Sequence, residues 1–284
     1  MPEGDTIFRT AHTLHRALAG QPVTRFDTVF PHLARVEVDS PVTGRTVERV
    51  EARGKWALIY LSGDLILLTH MLMSGSWHIY RPGESWQRAR IHFRIVLHTE
   101  RILAVAFNVQ VAEFHSAASL ERRAGLRTLG PSLLATRFDD AEAMARLRSR
   151  PDLEVGIALM TQSLLAGVGN VFKSEICFYS GVHPFRLVGS LADAELSSLV
   201  ATARKFLQVN VADIDGGGIA AYPGFRRTTN RSNPEERLWV YDRAGRPCLR
   251  CGTPITSCRQ GSEARTTYWC PRCQPAQSKA AAAR

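Results

Sequence analysis

No stretch of this chain approaches the roughly 20 consecutive apolar residues that cross a bilayer. Its N-terminus also lacks a basic segment followed by an apolar run. Those two features lead us to expect a cytoplasmic protein without a membrane span or signal peptide. Acidic residues are in short supply: 26 Asp and Glu face 36 Lys and Arg, for a net charge of +10 and a pI near 9.8. The imbalance favours a polyanionic partner, nucleic acid first, over an acidic small molecule, although a solvated basic surface would give the same totals. It is concentrated late in the chain, where residues 220–284 hold twelve basic and four acidic side chains. Cysteine is scarce outside one place, since four of the six fall in two C-x-x-C pairs near the C-terminus. In a reducing compartment that spacing points to metal rather than disulfides. No internal repeat is present. With 284 residues and 45% hydrophobic composition, the chain can nevertheless bury a sizeable core and is not intrinsically disordered.

The apolar pattern predicts an α+β protein of two domains. Asp5 or Thr6 can cap a helix whose Ile7, Ala11, Leu14 and Leu18 lie on one face and which ends at Gly20. From 22 to about 115 the pattern turns to short β-rich runs, including 56–61, 65–70, 91–98 and 102–107. Ser62-Gly63-Asp64 turns a hairpin, and the whole suggests a β-sandwich. A polar connection over 119–136 then separates this N-terminal domain, 1–118, from a helical one over 137–240. Helices are expected from Asp139 or Asp140 to about Arg148, from Pro151 to about Leu165, from Asn170, and from Asp193. A metal-bound module follows over 241–275, and 276–284 reads as a disordered tail.

One motif carries chemistry on spacing alone, and a second is weak by itself. In Cys248-x2-Cys251-x18-Cys270-x2-Cys273, two chelating pairs on tight turns can place four thiolates around one Zn²⁺. Four protein ligands leave no open position, so the expected zinc is structural and fastens a β-hairpin from which Arg265 projects. Cys258 and Cys177 are bystanders in this reading. The second motif, Ala166-Gly167-Val168-Gly169-Asn170, lies between two helical patterns. Its glycines permit close approach to a phosphate at a helix N-terminus, and an ordinary helix-capping turn is the bland alternative.

Taken together, the residues resemble the formamidopyrimidine-DNA glycosylase/endonuclease VIII family over nearly the whole chain. Met1-Pro2-Glu3-Gly4 is similar to its opening, Gly167 through Glu175 to its helix-two-turn-helix motif, and Arg265 through Gln274 to its zinc-finger end. The resemblance implies a nucleophilic secondary amine at Pro2 once Met1 is removed, able to form an iminium with C1′ of a deoxyribose. It gives Glu3 general acid/base work at the sugar. It makes Lys55 a catalytic residue that contacts the phosphate flanking the lesion and assists elimination, and Met73, in His70-Met71-Leu72-Met73-Ser74-Gly75, the wedge filling the gap left by an everted base. Gly167, Gly169, Asn170, Lys173 and Arg265 fall to DNA backbone contacts, with Arg265 also aiding δ-elimination. Three positions depart from the family pattern: Leu72 stands where Gly is usual, Gly156 where Lys is common and Thr161 where Asp is common.

The implied activity is a bifunctional DNA glycosylase/AP lyase of base excision repair acting on damaged DNA, expected to be duplex, with no protein partner required. The segment 215–222 begins like the purine-specific capping loop but lacks its L-R-D portion, and the opening looks like the endonuclease VIII branch, so oxidised pyrimidines are the expected substrates. An oxidised-purine glycosylase, or a non-catalytic damage-binding zinc-finger protein, are the alternatives. The intact Pro2 and Glu3 argue against the latter.

Overall fold

A computed structural model of the chain describes residues 2–212 and 226–276. The expected capping loop at 215–222 lies outside the described residues, as does all but residue 276 of the expected tail. The chain forms two compact units, one comprising residues 2–128 and the other residues 129–210 with 226–276.

The first unit opens with helix α1 (Gly4–Leu18). Its Ile7, Ala11, Leu14 and Leu18 are all buried, as their helical spacing requires. The helix starts earlier than the expected Asp5 or Thr6 cap. Glu3 is the N-cap, in extended conformation and without a side-chain capping bond, while Asp5 and Thr6 are buried inside the first turn. Two four-stranded antiparallel sheets follow. One has the order β1 (Arg25–Thr28), β6 (Phe93–His98), β7 (Leu103–Phe107), β5 (Ser76–Tyr80); the other has β2 (Val47–Arg53), β3 (Trp56–Leu61), β4 (Leu65–His70), β8 (Val111–His115).

The expected sandwich is therefore present, with Ile59, Leu61, Leu67, Trp77, Ile79, Ile95 and Leu97 in its main core alongside the apolar face of α1. Strand β3 is buried along both faces because Leu58 and Tyr60 pack into a second cluster with Ile66, Leu68 and Leu120. Leu120 comes from α3 (Ala117–Arg122), which α4 (Ala124–Arg127) follows, so helix occupies part of the stretch read as a polar connection. Helix α2 (Pro31–Asp39) interrupts the β-rich region and was not expected. It buries only Leu33 and leaves Val38 exposed, so it carries no apolar period to read.

In the second unit α5 (Asp140–Arg148), capped by the Asp139 side chain on the Glu142 N–H, α7 (Asn170–Tyr179) and α8 (Asp193–Val209) begin where the sequence predicts. The stripe Leu196, Leu199, Val200, Ala203 and Leu207 is buried. Helix α6 (Val155–Met160) is much shorter than the expected 151–165. Its first N–H groups are drawn sideways to the carbonyls of Arg186 and Pro184 instead of being preceded by more helix. At its other end the Thr161 hydroxyl donates back to the Ile157 carbonyl as the chain turns. The hairpin β9 (Thr256–Gln260) and β10 (Arg265–Trp269) closes the unit, with Arg265 paired across from Gln260. The α+β architecture read from the sequence is the one observed. Among the described residues, no helix is long and apolar enough to cross a membrane.

Candidate active site and metal centre

In the first unit, α1 runs antiparallel to β2. His15 Nδ1 accepts from the Val50 N–H, and the backbone beyond the helix joins Val47 through Gly20 and Gln21. The N-terminus of α1 is thereby directed to the end of the sandwich where β2 turns into β3. Pro2 is half-buried just ahead of the helix and Glu3 is fully buried, its carbonyl receiving the Ile7 N–H at 3.0 Å. At the same end of the sandwich, Gly54 (φ +59°) makes the turn that carries Lys55. Trp56 begins β3 opposite His70, the last residue of β4.

The Trp56 ring has two partners. His70 meets it edge-on with centroids 4.6 Å apart, and the Arg123 guanidinium lies 4.0 Å over it. Arg123 is fixed in turn by a two-pronged bond to Glu113 at 2.8 and 2.9 Å, and Glu113 also receives His115. The Arg123 hydrogen bond holds the Glu113 carboxyl down at about 2. Burial pushes the His70 imidazole down to about 4, helped by the charges of Lys55 and Arg123. A neutral His70 can accept the Leu72 N–H on Nδ1, which it does at 3.1 Å.

That bond shapes the loop that follows. Met71 is buried, Leu72 takes the left-handed conformation (φ +48°), and Met73 is 59% exposed. Gly75 closes the loop with its N–H on the Met71 carbonyl, so close that a Cβ at 75 would lie 2.5 Å from that oxygen. The Leu at 72 therefore occupies a backbone position that favours glycine.

In the second unit, the turn between α6 and α7 is built around Gln162. Its amide accepts from the Gly167 N–H at 3.0 Å and donates to the carbonyls of Met160 and Val168, both at 2.9 Å. Gly167 supplies φ +113° and Gly169 is the N-cap of α7. Nothing in sequence spacing marks Gln162 for this task. Asn170 donates its side-chain N–H to the Thr266 carbonyl at 2.9 Å, and its Oδ1 is buried with no partner among the described residues. Arg265 is about one-third exposed and paired with Glu263 at 3.0 Å.

Lys173, expected among the DNA contacts, has no exposed surface, and its amine donates to the Thr267 hydroxyl at 2.6 Å. With no exposed surface it cannot touch DNA directly in this conformation, because its position on α7 faces the hairpin rather than solvent. Gly156 is equally constrained: a Cβ there would lie 2.4 Å from Gln260 Oε1.

The sulfurs of Cys248, Cys251, Cys270 and Cys273 lie within 4.8 Å of one another, with Cys248 to Cys273 at 3.9 Å and Cys251 to Cys270 at 3.5 Å. Four thiolates about 2.3 Å from a zinc ion have sulfur–sulfur edges of about 3.8 Å, so the set fits one tetrahedral metal. Backbone N–H groups of Arg250 and Cys273 point at Cys248 and Cys270 sulfurs, which suits thiolates. Cys258 is exposed on β9, and Cys177, pushed up to about 12 by burial, lies inside α7; neither belongs to the cluster.

The site also depends on Glu175, whose importance the sequence did not single out. Its buried carboxylate accepts from the Thr228 hydroxyl and from the backbone N–H groups of Trp239, Val240 and Tyr241. It thereby ties α7 to the segment leading into the metal cluster. Gln274 does the same at the far end, joining the Cys270 N–H to the Val182 carbonyl.

Three domain families match the chain in order: the formamidopyrimidine-DNA glycosylase N-terminal domain over residues 1–110, the helix-two-turn-helix domain of the same enzymes over 129–222, and a zinc finger found in these glycosylases and in isoleucyl-tRNA synthetase over 245–276. A Streptomyces coelicolor protein named probable endonuclease 8 2 is 41% identical over 277 residues, covering 96% of this chain and 94% of that one. The chain belongs to the formamidopyrimidine-DNA glycosylase/endonuclease VIII family. Within it, endonuclease 8 2 of Mycobacterium tuberculosis is 38% identical over 96% of this chain and all of that protein. A DNA-(apurinic or apyrimidinic site) lyase of Mycolicibacterium smegmatis is 37% identical over 97% of this chain and all of its own. The glycosylase fold is confirmed by a Lactococcus lactis family member solved in complex with abasic-site DNA. It superposes with a TM-score of 0.80 at 21% identity over 97% of this chain and all of the other.

Proposed function

We propose that this protein is a bifunctional DNA glycosylase/AP lyase of base excision repair, working in the cytoplasm on damaged duplex DNA, with oxidised pyrimidines as preferred substrates. The observation that carries the reading is its 37–41% identity, over nearly the full length, to proteins named endonuclease 8 and DNA-(apurinic or apyrimidinic site) lyase. Relatives named formamidopyrimidine-DNA glycosylase and endonuclease 8 are 32% and 31% identical, so the preference for pyrimidines rests on the endonuclease VIII-like opening and on the L-R-D portion that 215–222 lacks.

The chemistry follows from the residues at the start of α1. With Met1 removed, the Pro2 nitrogen attacks C1′ of the damaged nucleotide and gives up its proton; the base leaves with the bonding pair of C1′ and is protonated, and cleavage of the C1′–O4′ bond with protonation of O4′ opens the sugar and leaves the iminium. Glu3, buried beside it, handles protons at the ring oxygen and C2′. Loss of a C2′ proton expels the 3′ phosphate, and a second elimination expels the 5′ phosphate. Lys55 steadies the backbone near the sugar, Met73 fills the space of the everted base, and the Gly167–Gly169 turn, Asn170 and Arg265 hold phosphates. Zinc is the ion we assign to the four cysteines. It supplies a structural tie and no open coordination position.

The test is incubation with duplexes containing 5-hydroxyuracil, dihydrouracil, 8-oxoguanine or no lesion, reading base release and strand cleavage. Release of the two pyrimidines ahead of 8-oxoguanine supports the assignment. The reverse order moves the protein to the purine branch, and no release from any duplex, despite binding, leaves a damage-binding protein.

A further inference from the structure

The strand that carries Arg265 is gripped by α7 at three successive residues. Asn170 donates to the Thr266 carbonyl at 2.9 Å, Lys173 donates to the Thr267 hydroxyl at 2.6 Å, and the Tyr268 N–H donates to the Ser174 hydroxyl at 3.3 Å. Positions 170, 173 and 174 share one face of a helix, so a single face of α7 meets the strand. The Thr267 hydroxyl in turn donates a hydrogen bond to Gln260 Oε1 at 2.8 Å. Gln260 then donates both to Glu154 Oε2 and to the Pro184 carbonyl at 2.9 Å. A continuous relay thus runs from α7 through both strands of the hairpin to the residue preceding α6.

Lys173 and Thr267 have no exposed surface and Gln260 is 3% exposed, so water cannot replace a missing partner. Gly156 makes the inward pose of Gln260 possible, since any side chain at 156 would claim the same space. Gln260 is also the cross-strand neighbour of Arg265.

We propose that Thr267 and Gln260 are positioning residues: with Lys173 they lock strand β10 so that Arg265 is held in one place relative to the Asn170 turn. The inference rests on the reading that Arg265 and Asn170 grip DNA phosphates. It assigns a role to buried polar residues that a hairpin held by metal alone would not need.

The experiment is a double-mutant cycle on the full-length, zinc-loaded protein. Affinity for a duplex containing a tetrahydrofuran abasic analogue is measured for wild type, Thr267→Val, Arg265→Ala and the double variant. Thr267→Val is expected to weaken binding about tenfold while retaining zinc, with the double variant no weaker than Arg265→Ala alone. Thr267→Ser, which keeps the hydroxyl, should recover wild-type affinity. Hydrogen exchange of the DNA-free protein should show the backbone of 265–269 exchanging at least about tenfold faster in Thr267→Val. Gln260→Met repeats the cycle should Thr267→Val fail to hold its metal.

Additive losses, or unchanged affinity and exchange, would overturn the proposal. A wild-type protein with no preference for abasic over intact duplex would instead count against the enzyme reading. The exchange measurement would then decide the relay by itself.

Discussion

His70 Nδ1 accepts the backbone N–H of Leu72 at 3.1 Å, and that one bond holds a left-handed residue at the entrance to the loop presenting Met73. The imidazole must be neutral to accept it. Burial keeps it so, with His70 pushed down to about 4 from an ordinary value of 6.5. His78 is pushed to about 4 by the same cause.

For both histidines the folded protein resists protonation more than the unfolded chain does. Their contribution to stability is complete above about pH 6.5 and is lost as pH falls toward about 4. Urea unfolding should therefore show a less stable protein at about pH 5 than at about pH 7. His70→Gln should reduce that difference, and an identical difference in the variant would mean that His70 titrates normally.

Leu72 has φ +48° and is 38% exposed, so its side chain gains little from packing while its backbone is strained. Leu72→Gly should be neutral or stabilise by up to about 1 kcal/mol, because relief of the left-handed penalty slightly outweighs the added freedom of the unfolded chain. Leu72→Val, branched at Cβ, should cost about 1–2 kcal/mol. Urea titration of both variants measures this; a Gly variant destabilised by more than about 1 kcal/mol would show the Leu72 side chain to be a packing element.

Glu175 is a buried carboxylate satisfied by four donors. Glu175→Ala leaves them without an acceptor and should cost about 3 kcal/mol or more in the second unit. Limited proteolysis and urea unfolding would detect it. Wild-type stability would mean that water or a rearranged backbone replaces the carboxylate.

Cys270 is completely buried within the metal cluster. Cys270→Ser should lose zinc, measured by elemental analysis, and weaken abasic-duplex binding by about tenfold or more, since the hairpin carrying Arg265 loses its fastening. Full zinc occupancy in the variant would show the ligand set to be different.

What the sequence disclosed was chemistry with a fixed spacing. The four cysteines, Gly167 in the turn before Asn170 and the apolar face of α1 could be located because thiolate geometry, positive φ and helical periodicity each constrain residue type. Residues that act through tertiary contacts were not legible. Gln162, Gln260 and Glu175 are ordinary polar side chains until folding surrounds them with particular backbone groups. Lys173 shows the same limit from the other side, since a lysine beside a phosphate-binding turn reads as a DNA contact until its burial against Thr267 is seen. Helix α2 was missed because one buried leucine cannot define a period.

The proposed lyase chemistry depends on the amine of Pro2. The most direct measurement is borohydride reduction of the protein with an abasic-site duplex, followed by digestion and mass analysis of the cross-linked peptide. A single adduct on the N-terminal peptide at Pro2 is expected, absent when Met1 is retained. An adduct on a lysine, or none at all from a protein that binds the duplex with Met1 removed, would contradict it.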